Sequence, residues 1–211
     1  MTKANLEAVI SGDLIGSRSS PGATGRAMET LRRAADRLGS ATGHELRFTR
    51  FRGDGWQVHL PDPGAGLLAM VYLRAALQAG DPGLATRIAL GIGAPEHGGT
   101  NDLSDASGGA FVASGTALDT LPRTRTLAVA GTGVGPGEEA IVALLDPLTA
   151  GWTPEQAEAV ALALLPPGTT QDKIARGLGI TRQAVQRRLA GAHFRALQPA
   201  IAAFAHLGAR P

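Results

Sequence analysis

The chain has 211 residues, 44% of them hydrophobic, with 20 basic and 18 acidic side chains and a formal net charge of +2. Such a length can bury one or two cores, and the absence of cysteine removes disulfides and thiolate metal sites together. The longest aliphatic run, Ala159 to Leu165, is seven residues, far short of the ~20 needed to span a bilayer. The opening MTKANLEAVISGDLIGS is broken by Asp13 and does not read as a signal peptide. The expectation is a cytoplasmic protein with no membrane partner.

Leu6 to Ser11 is an apolar run suited to a buried strand, and Ala27 to Leu38 repeats apolar positions at helical spacing. Leu46 to Phe51 and Trp56 to Leu60 alternate as the arms of a hairpin would. Leu67 to Leu77 predicts a second helix, Thr86 to Ile92 a strand, Ala110 to Leu121 a helix and Thr126 to Ala130 a last strand. This succession, β, α, β, β, α, β, α, β, predicts an α+β sandwich with helices over one sheet. The stretch GTGVGPGE, 131 to 138, holds four glycines and one proline and marks a boundary. It divides the chain into a domain over 1 to 135 and an all-α domain over 136 to 211.

Charge divides at nearly the same place. Residues 1 to 150 carry 13 Lys/Arg against 15 Asp/Glu, or −2, while residues 151 to 211 carry 7 against 3, or +4. Within the basic part, GWTPEQ opens a helix with Thr153 as N-cap, Pro154 at the first helical position and Gln156 closing a capping box. QDKIARGLGITRQAVQRRL, 171 to 189, then has the spacing of a helix-turn-helix. Ala175 is small where two helices approach, Gly179 suits a turn of positive φ, and Ile180, Val185 and Leu189 close a small core. Thr181 can cap the second helix. That helix would present Arg182, Gln183, Gln186, Arg187 and Arg188 outward, and Arg and Gln read guanine and adenine edges in the major groove. Double-stranded DNA is the partner this predicts; the plainer alternative is an αα-hairpin with a solvated basic face. Ala190 to Leu207 spaces Leu197, Ile201 and Phe204 on one side, as a packing or dimerisation helix does. The five histidines show no metal-ligand spacing and read as surface or partly packed residues.

Two acidic turns punctuate the first domain. Asp13 ends the first strand in SGDLIGSR, and Asp54 lies in the hairpin turn RGDG. Singly, each can be explained by Asp bonding nearby amides of a turn. As a pair on neighbouring strands they could share one Mg2+ or Mn2+ that also takes phosphate oxygens. After Asp13, Gly16 lets the backbone approach a phosphate, and Ser17 and Arg18 can bond one.

Four segments carry a family likeness: Asp13 with Leu14, Ile15 and Gly16; Gly53 and Asp54 followed by WQVHL; TRIALGIG from Thr86; and SGGAFVASGTALDTL from Ser107. In this order they resemble a class III nucleotidyl cyclase homology domain over about residues 5 to 130. The whole chain resembles the SatD-like bacterial proteins, which follow such a domain with a C-terminal helix-turn-helix. The resemblance implies a ferredoxin-like α/β sandwich, a site at a homodimer interface, and Asp13 and Asp54 as ligands of Mg2+ or Mn2+ with a purine nucleotide. It also implies nucleobase contacts from Arg50, which stands where many cyclases have a Lys, and from Asp105; an exposed strand residue and a loop or cap residue are the plainer readings of these two. The transition-state Asn and Arg of cyclases fall on Ala113 and Ala117, which donate no side-chain hydrogen bond. The resulting expectation is a DNA-binding regulator whose first domain senses a nucleotide or nucleotide second messenger. The alternatives are an active cyclase or nucleotidyltransferase with an accessory helix-turn-helix, and a cyclase-like dimeriser without a ligand.

Overall fold

The structure is a computed structural model that describes residues 6–16, 22–51, 53–81, 83–99, 102–165 and 169–205. Ser17 and Arg18 lie outside the described residues. The fold is mixed α+β, with a five-stranded sheet, a two-stranded sheet and eight α-helices among the described residues.

The first strand, β1 (Glu7–Ile15), runs two residues past Asp13 instead of ending there, because Asp13 remains in register between Gly55 on one side and Arg87 on the other. Helix α1 (Ala23–Thr42) buries Ala27, Leu31, Ala34, Ala35 and Leu38, the i, i+4, i+7 positions that periodicity marks. The hairpin β2 (Arg47–Arg50) and β3 (Gly55–Leu60) leads through a 3-10 turn at Pro63–Ala65 into α2 (Gly66–Gly80), which is apolar nearly all round and buried. Next come β4 (Ala85–Gly93), the short pair β5 (Pro95–His97) and β6 (Ser107–Gly108), α3 (Gly109–Asp119) and β7 (Leu127–Gly131). The small β5–β6 sheet was not visible in the sequence, since two strands of three and two residues carry no readable alternation.

The main sheet has the order β2-β3-β1-β4-β7, antiparallel except for the β4–β7 pair. One face carries Ile10, Leu14, Trp56, Val58, Ile88 and Leu90 into the core under α1 and α2. The other face carries Ser11, Asp13, Gln57, His59 and Arg87, and α3 lies across it, tied by a 2.9 Å hydrogen bond between the hydroxyls of Ser11 and Ser114. Helices therefore cover both faces of the sheet, α1 and α2 on one and α3 on the other.

Glycine and proline at 131–138 end β7 but also begin the next helix, α4 (Pro136–Ala150), since proline at the first helical position loses no hydrogen bond. Helix α5 (Pro154–Leu164) starts at the expected capping box, with Thr153 Oγ1 accepting from the Gln156 amide at 3.3 Å and Gln156 Oε1 from the Thr153 amide at 2.9 Å. Helices α6 (Gln171–Leu178), α7 (Arg182–Gly191) and α8 (Phe194–Phe204) complete the chain. One continuous apolar core runs from Ala8 to Phe204. The division at residue 135 is thus bridged: α4 packs on β7, and α5 lies along α2. The apolar side of α8 is spent inside the chain, with Leu197 and Phe204 fully covered. Among the described residues no helix is long and apolar enough to cross a membrane.

Candidate functional site

Asp13 is placed by its neighbours' backbones. Gly12 before it lies against the Trp56 indole; a Cβ there would overlap the ring and stand 2.8 Å from the Arg87 carbonyl. The indole Nε1 donates to Thr86 Oγ1 at 3.2 Å, and the Thr86 hydroxyl donates to the Asp13 carbonyl at 2.8 Å. The Leu14 amide donates to the Asp54 carbonyl at 3.1 Å, which holds the hairpin turn beside the end of β1. The two aspartates are therefore brought together, and the charge of Asp54 acts on the Asp13 carboxyl.

The Asp13 carboxylate is half-buried, and its two oxygens differ. Oδ2 accepts from Arg87 Nη1 at 3.3 Å, whereas Oδ1 is buried and has no hydrogen-bond partner among the described residues. Burial pushes the Asp13 pKa above the ordinary carboxylate value; Arg87 pulls it down by less than burial and Asp54 raise it. Arg87 also donates through Nη2 to the carbonyls of Leu118 and Leu121 at 2.7 and 3.1 Å, closing the C-terminal end of α3. Sequence reasoning noted this arginine within TRIALGIG but assigned it no part in the site. Its signal was a cation facing Asp13 across two adjacent strands, which becomes visible only once the register is known.

A buried carboxylate oxygen without a donor is suited to a cation, and Mg2+ takes one or two carboxylates and fills its remaining positions with water and phosphate oxygens. Asp13 Oδ1 is such an oxygen. No cluster of three or more acidic or histidine side chains able to enclose a metal occurs among the described residues.

The other predicted contacts do not share one face with Asp13: Arg50 pairs in register with Trp56, whose side chain enters the core on the opposite face. Gly16 sits in an exposed bend with φ 79°. Arg50 is exposed, and its guanidinium donates to the Gly53 carbonyl at 3.0 and 3.3 Å, so it braces the hairpin turn. Asp105 lies in an exposed loop 3.9 Å from His97 Nε2, and that loop is held to β2 by the Leu103 amide donating to Thr49 Oγ1 at 2.8 Å. Ala113 and Ala117 are partly buried on α3. His59, expected to be unremarkable, bonds Glu7 at 2.8 Å and stacks on Phe111 with the rings 6.3 Å apart.

At the other end of the chain, Gly179 stops α6 at φ 65°, ψ 30°, a left-handed conformation that glycine adopts without a Cβ penalty. Thr181 caps α7 by accepting from the Ala184 amide at 3.1 Å. Of the expected small core Ala175, Val185 and Leu189 are buried and Ile180 only partly so, Ile174 of α6 being buried beside them, and the Trp152 indole donates to the Ala192 carbonyl at 3.1 Å, fixing the start of α5 to the end of α7. Arg182, Gln183, Gln186 and Arg187 are exposed. Arg182 stands 3.9 Å from Asp172, a loose surface pair. Arg188 does not face outward as expected: it is partly buried and its Nη1 bonds Glu158 of α5 at 2.9 Å. Six residues beyond Arg182 on a 3.6-residue helix, it is carried round to the side of α7 that packs on α5.

Comparison with protein-family profiles, with curated proteins and with solved structures gives no match.

Proposed function

We propose that this protein is a cytoplasmic DNA-binding regulator in which α6 and α7 form a helix-turn-helix and the sheet domain senses a nucleotide. The observation that carries the reading is α7 itself: a capped helix after a left-handed glycine turn, seated on its own small core, with Arg182, Gln183, Gln186 and Arg187 exposed on the side away from that core. Those are the side chains that reach guanine and adenine edges from a major-groove helix.

For the sheet domain, the order β4-β1-β3-β2 with every neighbour antiparallel is that of a ferredoxin-like sandwich, the architecture implied by the resemblance to class III cyclases. Asp13 and Asp54 would hold Mg2+ or Mn2+, which would supply charge to bind the phosphates of a purine nucleotide. Arg87 keeps Asp13 oriented. Ala113 and Ala117 favour sensing over turnover, because catalysis needs charge stabilisation that appears in the transition state and alanine supplies none. The outward side of α3 bears Val112, 69% exposed, which suits the homodimer that such domains and helix-turn-helix proteins share.

Fluorescence anisotropy against a randomised duplex pool, followed by selection, tests the DNA reading. Arg187→Gln should weaken binding by roughly tenfold or more, and loss of a phosphate contact should lower the salt slope by about one. Arg188→Gln, turned toward Glu158, should weaken it far less. Equal effects, or no binding at all at low salt, would remove the helix-turn-helix claim. For the sensor, a thermal-shift screen of nucleotides, cyclic mono- and dinucleotides included, is run with and without Mg2+; a ligand at 100 times its Kd adds ~2.7 kcal/mol.

A further inference from the structure

A groove of about 900 Å³ lies between α1 and α5, over α2 and away from the Asp13 site. That is within the range of small-molecule sites. Its depth comes from the sequence of α2, which offers Ala76 and Ala79 as the floor where larger side chains would fill the space between the flanking helices. Leu162 of α5 and Leu165, which follows its last turn, add an apolar lining.

The charges along the groove are not evenly matched. Asp36 is taken by Arg32 at 2.9 Å, and Glu158 by Arg188 at 2.9 Å. Arg33 approaches Glu29 at 3.8 Å. Arg37 alone of these arginines has no ion pair among the described residues. It lies near Tyr72 at the base of the groove, where burial pushes the phenol pKa up and the Arg37 charge pulls against it. A guanidinium and a phenol hydroxyl are both hydrogen-bond donors, and a guanidinium pairs with a carboxylate through two parallel bonds.

We propose that this groove binds a small carboxylic acid with a flat apolar body, its carboxylate held by Arg37 and Tyr72 and its body laid on Ala76 and Ala79 against Leu162 and Leu165. One uncompensated cation matches one negative charge, which favours a monocarboxylate over a phosphate. The site is independent of the DNA and nucleotide readings above.

Isothermal titration calorimetry on the full chain, with 2-naphthoate as probe and 2-naphthalenemethanol as its uncharged counterpart, tests this. Saturable one-to-one binding of the acid is expected, weakened on the order of tenfold in Arg37→Gln, in Tyr72→Phe and for the alcohol, since each removes a charge-assisted hydrogen bond. Ala76→Leu, which raises the floor, should abolish it. Arg37 is exposed, so Arg37→Gln should keep the wild-type melting temperature, and it decides the matter should Ala76→Leu fail to fold. Absence of saturable binding at millimolar 2-naphthoate, unchanged affinity in Arg37→Gln, or equal binding of the alcohol would overturn the proposal.

Discussion

Asp13 and Asp146 are carboxylates at the same end of the same sheet, each beside an arginine, yet their surroundings are opposite. Asp146 reaches from α4 to the start of β7, where Oδ2 accepts from the amides of Thr126 and Leu127 at 2.7 and 3.2 Å and Oδ1 accepts from the Thr126 hydroxyl and from Arg74 at 3.4 Å. Burial works to raise its pKa, but these donors win and hold it below the ordinary value. Asp13 has one oxygen on Arg87 and one with no donor among the described residues, and its pKa is raised. Nearly all buried polar atoms in native proteins are bonded, so an exception calls for an explanation. Asp146 is explained by the fold it ties together; no donor among the described residues accounts for Asp13 Oδ1 in the same way.

The largest expected effect falls on the satisfied member. Asp146→Asn puts an amide against the Thr126 and Leu127 donors and leaves Arg74, itself 4% exposed, without its countercharge. Breaking a buried pair on one side costs about 3–5 kcal/mol, read as a lower urea midpoint at pH 7. The pH dependence has a fixed sign. A folded pKa below the unfolded ~3.9 contributes stability above that value and loses it as pH falls through the folded one, so the gap between wild type and variant should narrow on acidification below about pH 4. A gap that stays constant with pH would show that shape, not charge, was lost.

Next is Gly12→Ala. The added methyl meets the Trp56 ring and the Arg87 carbonyl, and overpacking of this kind costs about 1–3 kcal/mol. It should also shift Asp13, so any Mg2+-dependent nucleotide stabilisation should fall with it. Retained ligand stabilisation at unchanged midpoint would mean that the Gly12–Trp56 contact does not position the site.

How far these features could be read beforehand follows from their range in sequence. The elements of the sheet domain were legible because Ile10, Leu31, Leu38, Val58, Leu73 and Leu90 recur at periods of two or nearly four, and the α6 turn was legible because Gly179 and Thr181 act within four residues of themselves. Asp54 was legible as a turn carboxylate, whereas Asp13, read as ending its strand, lies two residues inside β1. Their company was not: Arg87 faces Asp13 from 74 positions away, and Arg74 faces Asp146 from 72. Arg188 was misplaced because its local pattern resembles the exposed Arg187, while its direction is set by Glu158, 30 positions back. The 131–138 segment was read as a break although Pro136 and Glu138 are good helix starters, since counting glycines hides a first-turn proline.

The smallest stability effect belongs to Asp13→Asn, and it bears hardest on the comparison. A raised pKa means that the folded protein favours the neutral form more than the unfolded chain does, so at neutral pH the ionised side chain costs stability, and that cost disappears as pH falls toward the unfolded value. Asparagine removes the cost and weakens the Arg87 contact; with the Asp13 side chain 34% exposed, solvent screens both terms. The net change should therefore lie within about 1 kcal/mol of zero, several-fold less than for Asp146→Asn. Removing a hard anionic ligand should nevertheless abolish any Mg2+-dependent thermal shift by nucleotides, because a neutral amide oxygen is a poor substitute for a carboxylate on a small dication. The two measurements pull apart only if the carboxylate is there for a ligand. Should Asp13→Asn instead lower the urea midpoint as much as Asp146→Asn and leave nucleotide shifts intact, Asp13 would be a second fold-holding carboxylate, and its unbonded oxygen would mark strain at the strand end rather than a site.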